Sequence, residues 1–335
     1  MTSRITRDFM VLALALGFSI LLSSCDQTGN SPEKFGFIIL AQDASHAYRH
    51  PVWSPDSQRI AYTRYEVSDH PRAEKLNTGE IFVMDVLTRQ TRQLTYNDAE
   101  DYNPTWSHDG LRVAYIRKET IFDPQSQSLV FTNSLRIVNS DGSGDVEIFV
   151  CSAGCEVPSW SPDGDRIAFS MSLTWLTPEP GDKELPSEIY TVNVDGTGLT
   201  QITQSSESAF RPRWSPDGRS IVFERSGRIW IFDFQSKSER ALDLKDIKEA
   251  RDPTWSSDQS HIVFAAYPLN RGVSQLYLFD LADGSISPLF EMTLEEGERP
   301  PDMKEPDWSP DGSKIVFSVY LSQLYLVDLS TLLSH

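Results

Sequence analysis

An all-β fold, a six-bladed β-propeller, is predicted by three features of the sequence. The motif Pro-x-Trp-Ser-Pro-Asp-Gly recurs six times with small changes, each copy is followed by a short apolar run, and a second apolar run then ends in Asp or Asn. Self-similarity at a steady period is typical of repeat architectures such as propellers. The tryptophans of the six copies are spaced by 53, 54, 54, 41 and 53 residues and are Trp53, Trp106, Trp160, Trp214, Trp255 and Trp308.

Each repeat contains the signals of four strands. Ser-Pro-Asp-Gly suits a type I turn, with Pro at its second position and Gly at its fourth. The run after it, such as Ile60-Ala61-Tyr62, is apolar at consecutive positions, which predicts a strand buried on both faces between stacked blades. The second run, such as Glu80–Asp85, leads into a polar turn and a weaker outer strand such as Thr91–Thr95. Four strands per repeat predict four-stranded antiparallel blades with the tryptophans packed between them.

The two ends of the chain are expected to complete one blade together. Only seven residues follow Asp328, too few for the turn and outer strand of the sixth blade. The segment Phe35–Ala41 fits as that strand, because Leu40 precedes Trp53 by thirteen residues and Leu94 precedes Trp106 by twelve. Such closure joins the ring and removes an exposed sheet edge.

Residues 1–24 have the pattern of a signal peptide. Arg4 and Arg7 give a basic start, and the uncharged apolar run that follows is too short for a comfortable membrane span. It ends in Leu22-Ser23-Ser24-Cys25, which resembles the lipobox of bacterial lipoproteins and implies cleavage before Cys25 and lipidation of its thiol. The alternative is an ordinary signal peptide with a chance Cys at its end. We therefore expect a tether at 25–34, a single propeller at 35–335, and a protein exported and lipid-anchored on the periplasmic side of a bacterial membrane.

The two remaining cysteines, Cys151 and Cys155, lie four residues apart. Export into an oxidising compartment and their even number favour one disulfide, with free thiols as the alternative. Two cysteines with no histidine nearby make a poor zinc site.

The six repeats resemble the TolB-like, WD40-like β-propeller repeat of bacterial envelope proteins. The resemblance extends over about residues 36–335, and it implies the fold more firmly than the function. TolB itself carries a separate α/β domain before its propeller, whereas about ten residues lie here between Cys25 and the first strand. We therefore expect a TolB-like lipoprotein rather than TolB itself.

The composition offers little support for catalysis or for nucleic-acid binding. A formal net charge of −18 repels a phosphate backbone. There is no Gly-x-Ser-x-Gly nucleophile elbow, and the six histidines are dispersed along the chain. From these observations we expect no enzyme activity, no cofactor and no metal.

The candidate binding site consists of residues that directly precede each Pro-x-Trp. Loops that enter the innermost strands should ring the mouth of the central channel, and the long segments 64–78, 118–133 and 170–186 should project from the same face. The charges there could instead pair with one another to hold the blades, and Trp175 could fold back onto its own blade. The candidates are His50, Asn103, Arg211, Arg251, Asp252 and Glu305, with Trp175 as an aromatic anchor.

Binding is therefore the predicted function: a monomeric, membrane-anchored envelope propeller that recognises a protein or peptide partner at the channel mouth. The alternative is a carbohydrate-active enzyme, a lyase or glycoside hydrolase, that uses carboxylates in the central channel. Glycosidase chemistry needs two carboxylates facing one cavity, and Asp252 and Glu305 come from successive blades.

Overall fold

A computed structural model describes residues 37–43, 45–67, 78–123, 127–151, 154–172, 186–267, 273–290, 301–320 and 322–332. Over these residues the chain forms six four-stranded antiparallel sheets. The first strand, β1 (Phe37–Gln42), belongs to the last sheet, and the rest follow blade by blade.

Blade one consists of β2 (His46–Trp53), β3 (Arg59–Glu66), β4 (Gly79–Asp85) and β5 (Thr91–Gln93). Blade two consists of β6 (Glu100–Trp106), β7 (Arg112–Asp123), β8 (Ser128–Asn139) and β9 (Val146–Cys151). Blade three consists of β10 (Cys155–Trp160), β11 (Arg166–Met171), β12 (Glu188–Asn193) and β13 (Thr200–Gln201).

Blade four consists of β14 (Ala209–Trp214), β15 (Ser220–Arg225), β16 (Arg228–Asp233) and β17 (Ser238–Ala241). Blade five consists of β18 (Ala250–Trp255), β19 (His261–Ala266), β20 (Gln275–Asp280) and β21 (Ile286–Pro288). Blade six consists of β22 (Met303–Trp308), β23 (Lys314–Val319), β24 (Gln323–Asp328) and β1, and a short helix, α1 (Leu329–Leu332), follows β24. The predicted all-β propeller of six four-stranded blades is confirmed.

The second strand of every blade forms the buried core. Its aromatic residue is at most 1% exposed in all six blades, because a neighbouring blade covers each face of the strand. The six residues are Tyr62, Tyr115, Phe169, Phe223, Phe264 and Phe317.

The Ser-Pro-Asp-Gly segments form tight turns between the first and second strands. In blade one the amide N–H of Ser57 donates to the carbonyl oxygen of Ser54 at 2.9 Å, and Asp56 accepts from the amide N–H of Gln58 at 3.0 Å. The fourth turn position has a positive φ, which favours Gly, yet Ser57 adopts 57° and Gln259 adopts 61° there. The fold therefore tolerates the two copies that lack this glycine.

The tryptophans pack between neighbouring blades, as predicted. The guanidinium carbon of Arg59 in blade one lies 4.7 Å from the ring centre of Trp106 in blade two. Arg166 of blade three lies 5.0 Å from Trp214 of blade four in the same arrangement. Each such contact joins two blades through a cation–π interaction near the Ser-Pro-Asp-Gly turns.

The N-terminal strand closes the ring. β1 pairs antiparallel with β24, with Phe37 opposite Val327 and Gln42 opposite Gln323. Phe37 is 5% exposed, and its ring centre lies 4.9 Å from that of Phe290 and 5.3 Å from that of Phe317. The sequence placed this strand at Phe35–Ala41, and the observed strand ends one residue later.

A disulfide joins Cys151 at the end of β9 to Cys155 at the start of β10, with an Sγ–Sγ distance of 2.03 Å. Both cysteines are buried, so the bond clamps the connection between blades two and three. Separately, no helix among the described residues is long and apolar enough to cross a lipid bilayer.

Candidate functional site

The central channel runs between the innermost strands of the six blades. Because the strands of each blade are antiparallel and sequential, the Ser-Pro-Asp-Gly turns lie at one end of the channel. The connections between second and third strands, and between blades, lie at the other end, which we call the mouth. Three levels follow one another from the mouth to the turn end: a mouth cavity, a narrow collar and a tryptophan cup.

The collar is formed by the residue before the Pro of each repeat. In every innermost strand the pairing register shifts at this position, and the residue adopts a φ between 48° and 55°. A bulge of this kind re-aims a side chain, here toward the channel axis. The six collar residues are His50, Asn103, Val157, Arg211, Asp252 and Glu305.

Two sequence expectations are corrected at this level. The candidate residues do not lie on loops entering the innermost strands; they lie within those strands, at the bulge. They also nearly close the channel rather than ringing an open mouth, because the space between them is about 20 Å³. That volume is about enough for one water molecule.

Arg211 is held by carboxylates from its own and the next blade. Its Nε lies 2.6 Å from Oδ1 of Asp252, and its Nη1 lies 2.5 Å from Oε1 of Glu224. The amide N–H of Asp252 donates to Oε2 of Glu224 at 3.3 Å. Burial disfavours the charge of Arg211, but Asp252 and Glu224 outweigh it and raise the pKa of the guanidinium above its usual range.

Glu305 is held in the same way by blade one. Its Oε2 accepts the amide N–H of His50 at 2.7 Å, and its Oε1 lies 3.1 Å from Nε2 of His50 and 3.0 Å from Nη2 of Arg49. Burial acts against ionisation, but His50 and Arg49 hold the pKa of this carboxyl well below its usual range. The amide N–H of Glu305 donates to Oδ2 of Asp252 at 3.3 Å, which links the two groups of charges.

The collar residue of blade two is neutral. Asn103 is 6% exposed, and within the described part of the chain its Oδ1 has no hydrogen-bond partner. It therefore presents an acceptor to the collar space, opposite the charged blades.

Arg251 does not join the collar, although it is adjacent to Asp252 in sequence. Its side chain is 48% exposed, pairs with Glu249 and lines the mouth cavity. Trp175 and the lipidation candidate Cys25 lie outside the described residues.

The mouth cavity has a volume of about 680 Å³ and lies over blades three to five. It opens where the β15–β16 hairpin turns through only Ser226 and Gly227, whose φ values of 51° and 70° fit a type I′ turn. Besides Arg211, Glu224 and these two residues, it is lined by Glu156, Phe210, Lys248, Glu249, Ala250 and Arg251.

The wall of the mouth is much taller at blade two. Strand β6 pairs with β7 only as far as Lys118, whereas β7 and β8 continue to pair up to Asp123 and Ser128. The resulting two-stranded ribbon carries Phe122 and Phe131, each 61% exposed. The mouth is therefore high on one side and low at blade four.

Sequence reasoning missed Glu224, which binds Arg211. A signal was available: the residue after the buried aromatic of the second strand contacts a collar residue in blades one, four and six. His50 contacts Thr63 at this position, and Glu305 accepts from Ser318 at 3.0 Å. Glu224 is the charged member of a set that is otherwise small or apolar, namely Thr63, Ile116, Ser170, Ala265 and Ser318.

The tryptophan cup occupies the turn end of the channel, beyond the collar. It is a cavity of about 330 Å³ bounded by the tryptophans of all six repeats. Arg213 lines both the cup and the collar, and Asp307 lines the cup. No group of three His, Cys, Asp or Glu side chains within the described ranges is placed to hold a metal ion.

Comparison with known proteins supports the fold. No protein-family model matches the chain. It is 26% identical over 222 residues to the uncharacterized peptidase YuxL of Bacillus subtilis, covering 66% of this chain and 30% of that protein. It is 24% identical over 307 residues to the uncharacterized protein Atu1656 of Agrobacterium fabrum, and the match covers 81% of this chain and 84% of that protein. It is 29% identical over 173 residues to a TolB homolog of Chlorobium luteolum, and the match covers 50% of this chain and 36% of that protein. The chain thus spans about a third of the length of two of these relatives.

Solved structures agree with this. TolB from Acinetobacter baumannii superposes with a TM-score of 0.58 at 20% identity, over 81% of this chain and 63% of that one. A putative TolB from Agrobacterium tumefaciens superposes with a TM-score of 0.59 at 17% identity, over 87% of this chain and 93% of that one. An oligogalacturonate lyase in complex with manganese superposes with a TM-score of 0.53 at 18% identity, over 86% of this chain and 78% of that one.

These comparisons overturn the expectation that the chain is not an enzyme. One relative is named a peptidase and one structural neighbour is a lyase, so this propeller occurs in enzymes. The absence of a nucleophile elbow was too narrow a criterion, because it concerns one class of hydrolases only. The fold alone does not decide which chemistry is built on it. With its six four-stranded blades and these neighbours, the chain has a six-bladed β-propeller fold like that of the TolB structures.

Proposed function

We propose that the protein is a cell-envelope binding or scaffold propeller that takes a segment of a partner protein at the mouth of its channel. The observation that carries this proposal is the mouth cavity of about 680 Å³, which lies over blades three to five and opens at the short β15–β16 hairpin of blade four. The two-residue hairpin of blade four leaves the cavity open on that side, which offers an entry path for an extended polypeptide.

The lining of the mouth cavity suits a peptide. Lys248 and Arg251 offer positive charge, Glu156 and Glu249 offer negative charge, and Phe210 offers an aromatic surface. Such a mixture can pair with charged side chains of either sign and also cover an apolar one. The collar below limits how deep a segment can enter, because about 20 Å³ of space does not admit a side chain.

The proposed location is the membrane surface of the cell envelope. The apolar segment ending in Leu22-Ser23-Ser24-Cys25 supports an exported lipoprotein. Several acyl chains on one cysteine hold a protein stably on a bilayer, where a single chain would not. In this proposal a monomeric propeller meets its protein partner while tethered to the membrane.

Photo-crosslinking in the native envelope tests the binding face. A photoreactive amino acid at Lys248 should form adducts with a partner protein. The same group at Arg219 serves as the control, because that side chain is 79% exposed in a Ser-Pro-Asp-Gly turn at the other end of the channel. Adducts at Arg219 with none at Lys248, or none at either position, would overturn the proposal.

A second candidate function is carbohydrate cleavage at the same mouth. It is favoured by Glu156 and Glu249, which line one cavity, because glycosidases use a pair of carboxylates that face the sugar. The test is release of new reducing ends from acidic and neutral oligosaccharides by the purified protein. Glu249→Gln should abolish that release if the carboxylate takes part, whereas an unchanged rate would exclude it.

A further inference from the structure

The tryptophan cup is a second cavity, separated from the mouth by the collar. Its walls are the six repeat tryptophans, and its rim carries Pro55, Pro162, Pro216 and Pro310 together with His108 and Ser257. At about 330 Å³ it lies within the range of small-molecule sites. Its floor is formed by the residues that precede the tryptophans, of which Arg213 and Asp307 are charged.

Arg213 has no direct counter-ion among the residues that the structure describes. Its Nη1 donates to the carbonyl oxygen of Pro212 at 3.5 Å, and no carboxylate of the described residues lies within ion-pairing distance. Arg211, two residues earlier, has two such partners. Burial lowers the pKa of Arg213, although Asp307 and Asp252 oppose this. A guanidinium has five N–H donors, and a desolvated one without a partner is costly.

Asp307 does not supply the missing partner. Its Oδ2 accepts the amide N–H of Trp53 at 2.7 Å, and its Oδ1 accepts from the hydroxyl of Thr254 at 3.4 Å. Its carboxylate is thus held toward blades one and five, while Arg213 belongs to blade four. The floor therefore has a cation with unused donors and an anion whose oxygens are already engaged.

We propose that the tryptophan cup binds a small ring-shaped carboxylate, with the carboxylate on Arg213 and the ring among the tryptophans. A guanidinium matches a carboxylate in a planar, two-point hydrogen-bonding geometry. Aromatic walls favour a flat ring in stacked or edge-to-face contact. This site does not depend on the proposed function of the mouth, since the collar lies between the two cavities.

Benzoate is the probe for this site. Titration followed by tryptophan fluorescence and by calorimetry should show saturable binding of one benzoate per chain. Benzamide has the same shape without the charge and should bind at least about tenfold more weakly. Arg213→Gln should weaken benzoate binding by a similar factor, whereas Arg219→Gln, which removes the same charge from an exposed position, should leave it unchanged.

A second variant keeps the test decisive if Arg213→Gln does not fold. Asp307→Asn keeps an oxygen acceptor for the amide of Trp53 but removes the negative charge from the floor, so benzoate should bind more tightly. The proposal is overturned by any of four results: no saturable benzoate binding, equal affinity for benzoate and benzamide, unchanged affinity in a folded Arg213→Gln variant, or weaker binding to Asp307→Asn.

Discussion

Arg211 of blade four and Asp252 of blade five form an ion pair across the blade boundary, with Nε 2.6 Å from Oδ1. Both residues precede the Pro of their repeats, and both face the channel because of the bulge at that position. Glu224 completes the arrangement from the second strand of blade four. Arg211, Asp252 and Glu305, which were candidate ligand contacts in the sequence, thus form ion pairs between neighbouring blades.

Replacing Arg211 should therefore destabilise the fold. Arg211→Ala leaves the carboxylates of Asp252 and Glu224 close together without their cation. Because the Arg211 side chain is 32% exposed, we expect a loss in the free energy of unfolding of about 2 to 3 kcal/mol, below the range for a fully buried pair. Arg251→Ala is the matched control: its side chain is 48% exposed, so the change should stay within about 0.5 kcal/mol. Urea unfolding of both variants measures this, and equal stabilities would refute the structural role of Arg211.

Ring closure through β1 should contribute strongly to stability. Phe37→Ala removes a buried ring that contacts Phe290 and Phe317, and we expect a loss of about 3 kcal/mol. Ile38→Ala, on the same strand but 44% exposed, should cost less than about 1 kcal/mol. Thermal melts of the two variants decide the matter: similar melting temperatures would mean that β1 contributes little to the closed ring.

The Cys151–Cys155 disulfide should stabilise the connection between blades two and three. Its short loop predicts a gain of about 2 kcal/mol from restriction of the unfolded chain. The double variant Cys151→Ser, Cys155→Ser should unfold at lower urea concentration than the oxidised protein. Addition of a reductant should lower the midpoint of the natural sequence to that of the variant, while a midpoint that reductant does not move would contradict this.

Asp307 should make stability depend on pH. Burial raises its pKa from 3.8 to about 6, so the folded state binds this proton more tightly than the unfolded state does. The contribution of Asp307 to the free energy of unfolding is therefore greatest below about pH 4, and it is lost as the pH rises to about 6. The difference in unfolding free energy between the natural sequence and Asp307→Asn should change across that window and be flat above it, and a difference that stays constant from pH 4 to 7 would argue against the shift.

The membrane anchor is tested at Cys25. Cys25→Ser should move the protein from the membrane fraction to the soluble fraction and abolish incorporation of radioactive palmitate, because it removes the thiol that would be acylated. Ser24→Ala, next to it, should change neither result. Membrane association that persists in Cys25→Ser would contradict lipidation as the means of attachment.

Much of the fold could be predicted because each repeat signals its own strands. The turn residues, the consecutive apolar runs and the recurring tryptophan lie within one repeat of the chain, so their meaning needs no distant contact. Even the closing strand was predictable, since the distance from Leu40 to Trp53 nearly matches that from Leu94 to Trp106.

The site was predictable only in part. The position before each Pro identified five residues that do meet at the collar, because one register places them all at the same height. The same reasoning could not separate Asp252 from Arg251, whose side chains diverge at the bulge. It also missed Glu224, Arg213 and Asp307, which share the channel with residues from other blades.

The sequence by itself determined the number of blades, their four strands and the position of the collar residues. These follow from spacing and from local turn and strand preferences, which are set within a few residues. Only the tertiary structure decided which charges pair, that Arg213 has no direct counter-ion among the described residues, and that a cup lies beyond a nearly closed collar. Those relationships join residues as far apart as Trp53 and Asp307, and they exist only when the closed ring brings the six innermost strands around one axis.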